Sequence, residues 1–334
     1  MTNEVRPILF PFKKRKAKQQ ELLGISLQSD GVAVARINAD TQPPQLLGCR
    51  FVPLTAGLTP VQALERLMKQ QPLGNTDAVL VLEKADFVLQ TMESPQVEAA
   101  EKVQAIRWKL KDTIDFDVSE AIIDLFDVPQ PAGSSRQAMV YVVAAHRPVL
   151  QQKTTPLLEH DIRLSAIDIP ELAQRNIAAL LPEDKQGVAL LALSSDSGLL
   201  TLTCDVTLYL SRQLELGYRQ LTPAPSVADS DMSMVGLSPD MQRAMDQIVL
   251  EVQRSLDYYE SHFGLAPITS LVIAPLAVEV PGLLQYIASQ LGVQVRMLDI
   301  SSVLDTREPI AREQQAACWT ALGAALRQDE AGPA

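Results

Sequence analysis

Apolar residues recur along this chain with two periods, one typical of β-strands and one typical of α-helices. Alternation from Leu22 to Asn38 predicts a β-hairpin. The continuous apolar run 78–82 is typical of a strand that is buried on both faces. Other strands are predicted at 45–52, 87–92, 121–128, 138–145, 164–169, 188–193, 199–204, 206–215, 270–274 and 293–298. Helical spacing, with start signals such as Thr59-Pro60, predicts helices at 61–69, 97–113, 148–160, 170–181, 239–263, 282–291 and 313–327. This order predicts mixed sheets covered by helices.

A short segment occurs twice, once near the start of each half of the chain. Residues 25–30 read Ile-Ser-Leu-Gln-Ser-Asp, and residues 191–196 read Leu-Ala-Leu-Ser-Ser-Asp. Gly31 and Gly198 follow the two polar turns, where we expect the positive φ that glycine tolerates. Duplicated α/β domains of this kind can close on a nucleotide, with turns that hold phosphate and carboxylates that hold the metal. The strand positions for those carboxylates are occupied by Ser26 and Ala192, so we predict the architecture of a phosphate site without its chemistry.

The composition limits the classes of function. The formal charge is −11, which argues against general nucleic-acid binding. Three cysteines without a C-x-x-C pair indicate a reducing compartment, most simply the cytoplasm. A length of 334 residues indicates two domains, with a boundary near 182–186, and a polar loop is predicted at 222–240. No apolar stretch approaches the ~18 residues of a membrane span.

Residues 1–20 are predicted to form a flexible tail that combines apolar and basic side chains. Ile8, Leu9, Phe10 and Phe12 precede a basic cluster that consists of Lys13, Lys14, Arg15, Lys16 and Lys18. Each basic residue near an anionic membrane surface contributes about 1 kcal/mol of attraction. We therefore expect membrane-surface contact through residues 8–18. The alternatives are docking into a neighbouring protein and a disordered tail that aids solubility.

Motifs for catalysis and metal binding are absent from the sequence. It contains no G-x-S-x-G, H-E-x-x-H or P-loop pattern. Three histidines share no ligand spacing: His146, His160 and His262. A dense acidic group consists of Asp112, Asp115, Asp117 and Glu120. This group could bind a cation or a basic peptide, or simply form a solvated loop. We predict no catalytic residue and no metal ligand.

Several motifs in a fixed order resemble one family. They are Ala105-Ile106-Arg107-Trp108, Asp115-Phe116-Asp117, Ile123-Asp124 and the helical stretch Arg254-Ser255-Leu256-Asp257-Tyr258-Tyr259. They resemble the PilM-type cytoplasmic proteins of type IV pilus assembly, in particular those of the mannose-sensitive haemagglutinin (MSHA) pilus. The resemblance runs from about Leu22 to Arg327.

The resemblance implies an actin-like ATPase fold, in which two ribonuclease-H-like domains face a nucleotide cleft. It implies a first domain at 21–183 plus 313–328, an inserted small subdomain at about 87–137, and a second domain at 184–312. It also implies binding to the cytoplasmic tail of a PilN-like inner-membrane protein, coupling to a hexameric assembly ATPase, and a place in the cytoplasm, peripheral to the inner membrane.

The chain departs from the family at all three nucleotide loops. Where the family has aspartate and glycine, this chain has Ser26 and Gln28, then Ala192 and Ser194, and Ala274-Pro275 replaces two glycines. Mg²⁺ needs carboxylate ligands, and side chains at the glycine positions block the approach of phosphate. We expect a vestigial nucleotide cleft without a cofactor, lined by Ser26, Gln28, Ser29, Ser194, Ser195, Ser255, Ala274 and Pro275.

The function predicted from the resemblance is that of a scaffold. The residues expected to bind the partner tail are Arg107, Trp108, Phe116, Asp124 and Phe126. Main-chain hydrogen bonds of the strand-addition type are the expected mode of binding. One alternative is an active ATPase whose bound ATP gates partner binding. Another is the cytoplasmic component of a type II secretion platform, which resembles this chain in its degenerate fold.

Overall fold

The computed structural model describes residues 21–70, 73, 76–130, 137–222 and 238–328. The predicted tail and residues 223–237 of the predicted loop lie outside the described residues. Contacts divide the chain into two compact units, and each is described by itself. The first contains the described residues up to Asn176, Leu304–Arg307 and those from Thr320 onward, and the second contains those of Ile177–Val303 and Glu308–Trp319. The domain limits predicted from the sequence, at 183/184 and 312/313, each lie seven residues from these, and the segment Leu304–Arg307 was predicted in the second domain.

The first unit is built on a six-stranded mixed sheet with the strand order β14-β3-β2-β1-β4-β8. In chain order these strands are β1 (Glu21–Gln28), β2 (Gly31–Asn38), β3 (Gln45–Pro53), β4 (Asp77–Val81), β8 (Arg163–Asp168) and β14 (Asp305–Thr306). The helices that pack on this sheet are α1 (Pro60–Gln70), α3 (Arg147–Glu159), most of α4 (Pro170–Ala178) and most of α8 (Trp319–Ala325). The first three strands run antiparallel, and β4 and β8 run parallel to β1.

The central strand β4 is covered on both faces, as its apolar run predicted. Ala78 and Leu80 pack into the core with α1 and α3, whereas Val79 and Val81 pack on the opposite face, in a cluster that includes residues of α4 and α8. The predicted start of α1 is also confirmed, because Thr59 and Gln62 exchange hydrogen bonds between side chain and main chain.

A separate three-stranded antiparallel sheet with the order β5-β7-β6 forms the inserted part of the first unit. Its strands are β5 (Phe87–Glu93), β6 (Ala121–Asp127) and β7 (Met139–His146), and α2 (Ala99–Leu110) covers one face. The central strand β7 lies beyond residue 137, where the sequence analysis ended the insertion. The sheet therefore extends past the predicted limit.

The second unit repeats the topology of the first. Its sheet has the order β11-β10-β9-β12-β13, with β9, β10 and β11 antiparallel and β12 and β13 parallel to β9. The strands are β9 (Val188–Leu193), β10 (Gly198–Cys204), β11 (Thr207–Leu214), β12 (Ser270–Ile273) and β13 (Gln294–Met297). The helices are α5 (Pro239–Phe263), α6 (Leu283–Leu291) and α7 (Arg312–Ala317). Among the described residues, none of the helices has both the length and the apolar character to cross a membrane.

The positive φ expected at Gly31 and Gly198 was wrong, since neither glycine adopts it. The limited space for a Cβ favours glycine at both positions instead. A Cβ on Gly31 would overlap the ring of Phe51, and a Cβ on Gly198 would lie 2.8 Å from Cδ2 of Leu193. Glycine is required at position 31, where a Cβ would also lie 2.6 Å from the main-chain oxygen of Val52, whereas the atom that crowds position 198 is the end of a flexible leucine side chain.

The single final helix predicted at 313–327 was also wrong, because the chain forms two helices that meet at Cys318. The first of them, α7, is held in the second unit by Gln315, whose side chain bonds to Ile300 N, Asp299 Oδ1 and Ile310 O at 2.9 Å each. The second, α8, packs in the first unit, where Gly24 of β1 lies against its backbone. The break falls where the chain passes from one unit to the other.

Candidate functional site

The first repeated turn belongs to a tight hairpin between β1 and β2. Ser29 and Asp30 form the turn, with Gln28 paired to Gly31. Ser26 is buried between Ala33 of β2 and Val81 of β4, and Gln28 Nε2 lies 3.5 Å from its Oγ. Two of the three polar side chains predicted for this half of the cleft, Ser26 and Gln28, therefore contact each other on one face of β1.

The structure places a carboxylate beside this turn that the sequence analysis missed. Glu83 accepts a hydrogen bond from the main-chain N–H of Ser29, and its Oε2 lies 3.5 Å from Lys153 Nζ. Lys153 Nζ is also 2.8 Å from Asp86 Oδ2. Burial raises the pKa of the Glu83 carboxyl, while the ammonium of Lys153 opposes that change. The carboxylates near the turn are thus paired with a cation of the protein itself.

Position in the sheet could have identified Glu83. It follows the buried strand β4 at its carboxyl end, and this end of a parallel strand is where α/β proteins commonly bind ligands. Lys153 had no such signal, because α3 brings it to the turn from a distant part of the chain.

The second repeated turn, Ser194 to Ser197, is closed by its own polar groups. Ser194 N donates to Ser197 O at 2.8 Å, and Ser197 N donates to Ser194 Oγ at 3.2 Å. Arg219 Nη1 lies 2.9 Å from both carboxylate oxygens of Asp196. Hydrogen bonds from Ser195 and Arg219 hold the pKa of Asp196 below its usual value. The Asp196 carboxylate is therefore paired with the guanidinium of Arg219 and does not stand as an unpaired negative charge at the turn.

The remaining cleft residues of the second unit face the interior. Ser255 is fully buried in α5, and its hydroxyl donates to the carbonyl of Glu251 at 2.7 Å. Ala274 N donates to Leu191 O at 2.8 Å, which extends the pairing between β12 and β9, and Pro275 beside it is buried. These positions supply no polar side chain directed at a ligand. Within the described part of the chain, no group of three or more His, Cys, Asp or Glu is placed to hold a metal ion.

Three of the predicted partner-binding residues lie with α2 on one face of the inserted sheet. Arg107 is a structural residue, because its Nη1 donates to Val118 O at 2.5 Å and to Ala121 O at 3.0 Å. Phe116 packs against the core under α2, with its ring centroid 4.8 Å from that of His146. Trp108 is 74% exposed.

The other two predicted residues lie on the opposite face. Phe126 stacks on Tyr141 with ring centroids 4.8 Å apart, and Asp124 lies two residues before it on β6. Burial raises the pKa of Asp124 to about 6, and Arg327 and Asp168 are its charged neighbours. The five residues expected to form one surface are therefore divided between two faces of the sheet.

Comparison with solved structures relates this architecture to known proteins. A chain of the PilM-PilN type IV pilus biogenesis complex superposes with a TM-score of 0.70 and 18% identity, over 92% of this chain and 98% of that one. The cytoplasmic domain of EpsL, an inner membrane component of the type II secretion system of Vibrio cholerae, gives a TM-score of 0.47 and 14% identity, over 90% and 94%. A Bacteroides thetaiotaomicron protein with an actin-like ATPase fold gives 0.46 and 11%, over 90% and 96%. No family profile matches the chain, and no curated protein sequence does.

The first of these comparisons establishes the fold class. The superposition with the pilus protein covers nearly the whole of both chains, and five strands follow the same order in the two units. The chain has the actin-like ATPase fold, which confirms the predicted fold class.

Proposed function

We propose that this protein is a scaffold of type IV pilus assembly, of the MshI type that serves MSHA pili. In this proposal it lies on the cytoplasmic face of the inner membrane. There it binds the cytoplasmic tail of a PilN-like membrane protein and couples that protein to a hexameric assembly ATPase. The observation that carries the proposal is the likeness to a chain of the PilM-PilN complex at a TM-score of 0.70.

A degenerate nucleotide site is the second part of the proposal. Ser26 and Ser255 are buried and bonded within the protein, and the second turn is closed by its own hydroxyls and by Arg219. Near the first turn, Lys153 forms ion pairs with Glu83 and Asp86. These contacts pair Glu83, Asp86 and Asp196 with cations of the protein and leave Asp30 as the remaining carboxylate of the first turn. Mg²⁺ prefers several carboxylate and phosphate oxygens together.

Two measurements on the full chain test these parts separately. Capture on an immobilised PilN-type cytoplasmic tail tests the scaffold, and we expect binding in the absence of nucleotide. Isothermal titration with Mg-ATP tests the degenerate site, and we expect no affinity tighter than about micromolar. Tight binding of Mg-ATP, together with tail capture only in its presence, would instead support an ATPase whose nucleotide gates the partner. Failure to capture any such tail under either condition would contradict the scaffold.

A further inference from the structure

Strand β5 forms an outer edge of the inserted sheet, on the side away from β6. Ser94 N donates to Ala138 O at 2.7 Å, which fixes the alternation of the ladder between β5 and β7. Directly opposite residues alternate between bonded and non-bonded pairs in an antiparallel sheet, so every second residue of β5 directs its N–H and C=O groups outward. The outward residues are Phe87, Leu89, Thr91 and Glu93. Among the described residues, no strand pairs with this side of β5.

Several other edge strands carry features that discourage pairing, and β5 lacks them. Strand β3 is partly covered by β14, contains a register shift and ends at Pro53, and β13 has only four residues. Strand β5 has seven residues, pairs with β7 in one continuous register, and contains no proline, no glycine and no charge before Glu93. A regular edge of this kind is a template for pairing with another strand.

The sequence of β5 is complementary to itself in an antiparallel pair. When two such edges meet with Gln90 on the two-fold axis, Leu89 lies opposite Thr91 of the partner copy and Phe87 lies opposite Glu93 of the partner copy. All four are outward residues, so each of these pairs exchanges main-chain hydrogen bonds. A contact that joins the same surface of both copies closes as a dimer.

Charges at the two ends of the strand support the same register. Nζ of Lys84 lies 4.9 Å from the centroid of the Phe87 ring. Directly opposite residues place their side chains on the same face of a sheet, so Glu93 of the partner copy comes close to Lys84. Lys84 and Glu93 are both exposed, and neither takes part in an ion pair with another described residue. The two-fold axis forms the new ion pair twice.

We propose that two copies of this chain pair through β5, so that their three-stranded inserted sheets join into one antiparallel sheet. Main-chain bonds supply most of the affinity, and the pairs between Lys84 and Glu93 set the register. The contact is small, so we expect a dissociation constant of about 10 μM. This inference does not depend on which partner the proposed scaffold binds.

Sedimentation equilibrium of the full chain, from about 1 to 200 μM, measures the association. We expect Thr91→Pro to weaken it at least tenfold, because proline removes an outward donor without touching the ladder to β7. Thr91→Val keeps the donor and is the matched control, with an expected change within about twofold. Circular dichroism of both variants verifies that they are folded.

Charge reversal tests the register without changing the backbone. We expect Lys84→Glu and Glu93→Lys each to weaken self-association roughly tenfold, because both ion pairs become repulsive. An equimolar mixture of the two variants is expected to form a mixed dimer with nearly the affinity of the unchanged chain, because the charges are then complementary again. Mixing that restores no association would contradict the pairing of these residues.

A disulfide tests the position of the axis. In a non-bonded pair the two Cα atoms at position 90 lie about 4.5 Å apart, so Gln90→Cys is expected to cross-link two copies under mild oxidation. Val88→Cys is the control, because position 88 lies opposite Met92 and about 13 Å from its own counterpart. The unchanged chain controls for the native cysteines. A monomer at all concentrations, equal effects of the two Thr91 variants, or equal cross-linking at positions 88 and 90 would each overturn the proposal.

Discussion

At the scale of single residues, the carboxylate of Asp124 costs the folded chain free energy at neutral pH. Its folded pKa of about 6 lies above the ordinary value of 3.8, so the stability that the protonated carboxyl contributes is fully present below about pH 4 and is lost as the pH rises through about 6. We expect Asp124→Asn to stabilise the free protein by about 1–3 kcal/mol near pH 7.5 and by almost nothing near pH 4. Urea unfolding at both pH values measures the difference. An equal gain at both would show that ionisation is not the cause.

Val206 is strained because it occupies a turn position that suits glycine. Asp205 and Val206 form the two-residue turn between β10 and β11, with φ of 48° and 67°. A side chain in this left-handed region costs roughly 1–2 kcal/mol, and Val206 is exposed, so little packing offsets the cost. We expect Val206→Gly to raise the free energy of unfolding by about 1 kcal/mol in urea titration. Val206→Ala, which keeps a Cβ, is the control, and an equal gain for both variants would contradict the explanation.

At the scale of elements, the close packing of α8 on the sheet depends on Gly24 of β1. A Cβ on Gly24 would overlap the carbonyl oxygen of Ala321, whereas a Cβ on Gly48 of β3 meets nothing within 4 Å. We expect Gly24→Ala to lower the free energy of unfolding by about 3 kcal/mol or more, because backbone must move. Gly48→Ala is the matched control on the same sheet, with an expected change below about 0.5 kcal/mol. Thermal melts of both variants give the comparison, and similar melting temperatures would refute the close packing.

Element positions were largely predictable from the sequence, and their boundaries less so. The predicted helix 239–263 matches α5, which starts after the Ser238 cap and ends at Gly264 with φ of 62°. Both signals are local, so the sequence contains them. The break at Cys318 had no local signal, because the division of α7 and α8 between two units decides it.

At the scale of the whole molecule, the sequence of the first 20 residues predicts a membrane contact. The net charge of −11 would repel an anionic surface, and the basic residues of 13–18 oppose that repulsion locally. We expect the full chain to sediment with vesicles rich in phosphatidylglycerol and to be released by about 0.5 M salt. A chain that lacks residues 1–20 is expected to stay in the supernatant.

The control for this prediction uses vesicles of neutral phosphatidylcholine. Equal binding to both vesicle types, or unchanged binding after removal of residues 1–20, would contradict an electrostatic anchor. Contact of this tail with a partner protein would then be the better explanation.

The sequence by itself determined most of the strands and helices, the repeated hairpin topology, and the presence of Ser26 and Ala192, rather than acids, in the strands before the two turns. These features follow from periodicity and residue identity, which short segments contain. Only the tertiary structure placed Lys153 beside Glu83 at the first turn and divided the predicted partner surface between two faces of the inserted sheet. Those features depend on contacts between residues far apart in the chain, and hydrophobic periodicity tells which residues are buried without telling which residues they meet.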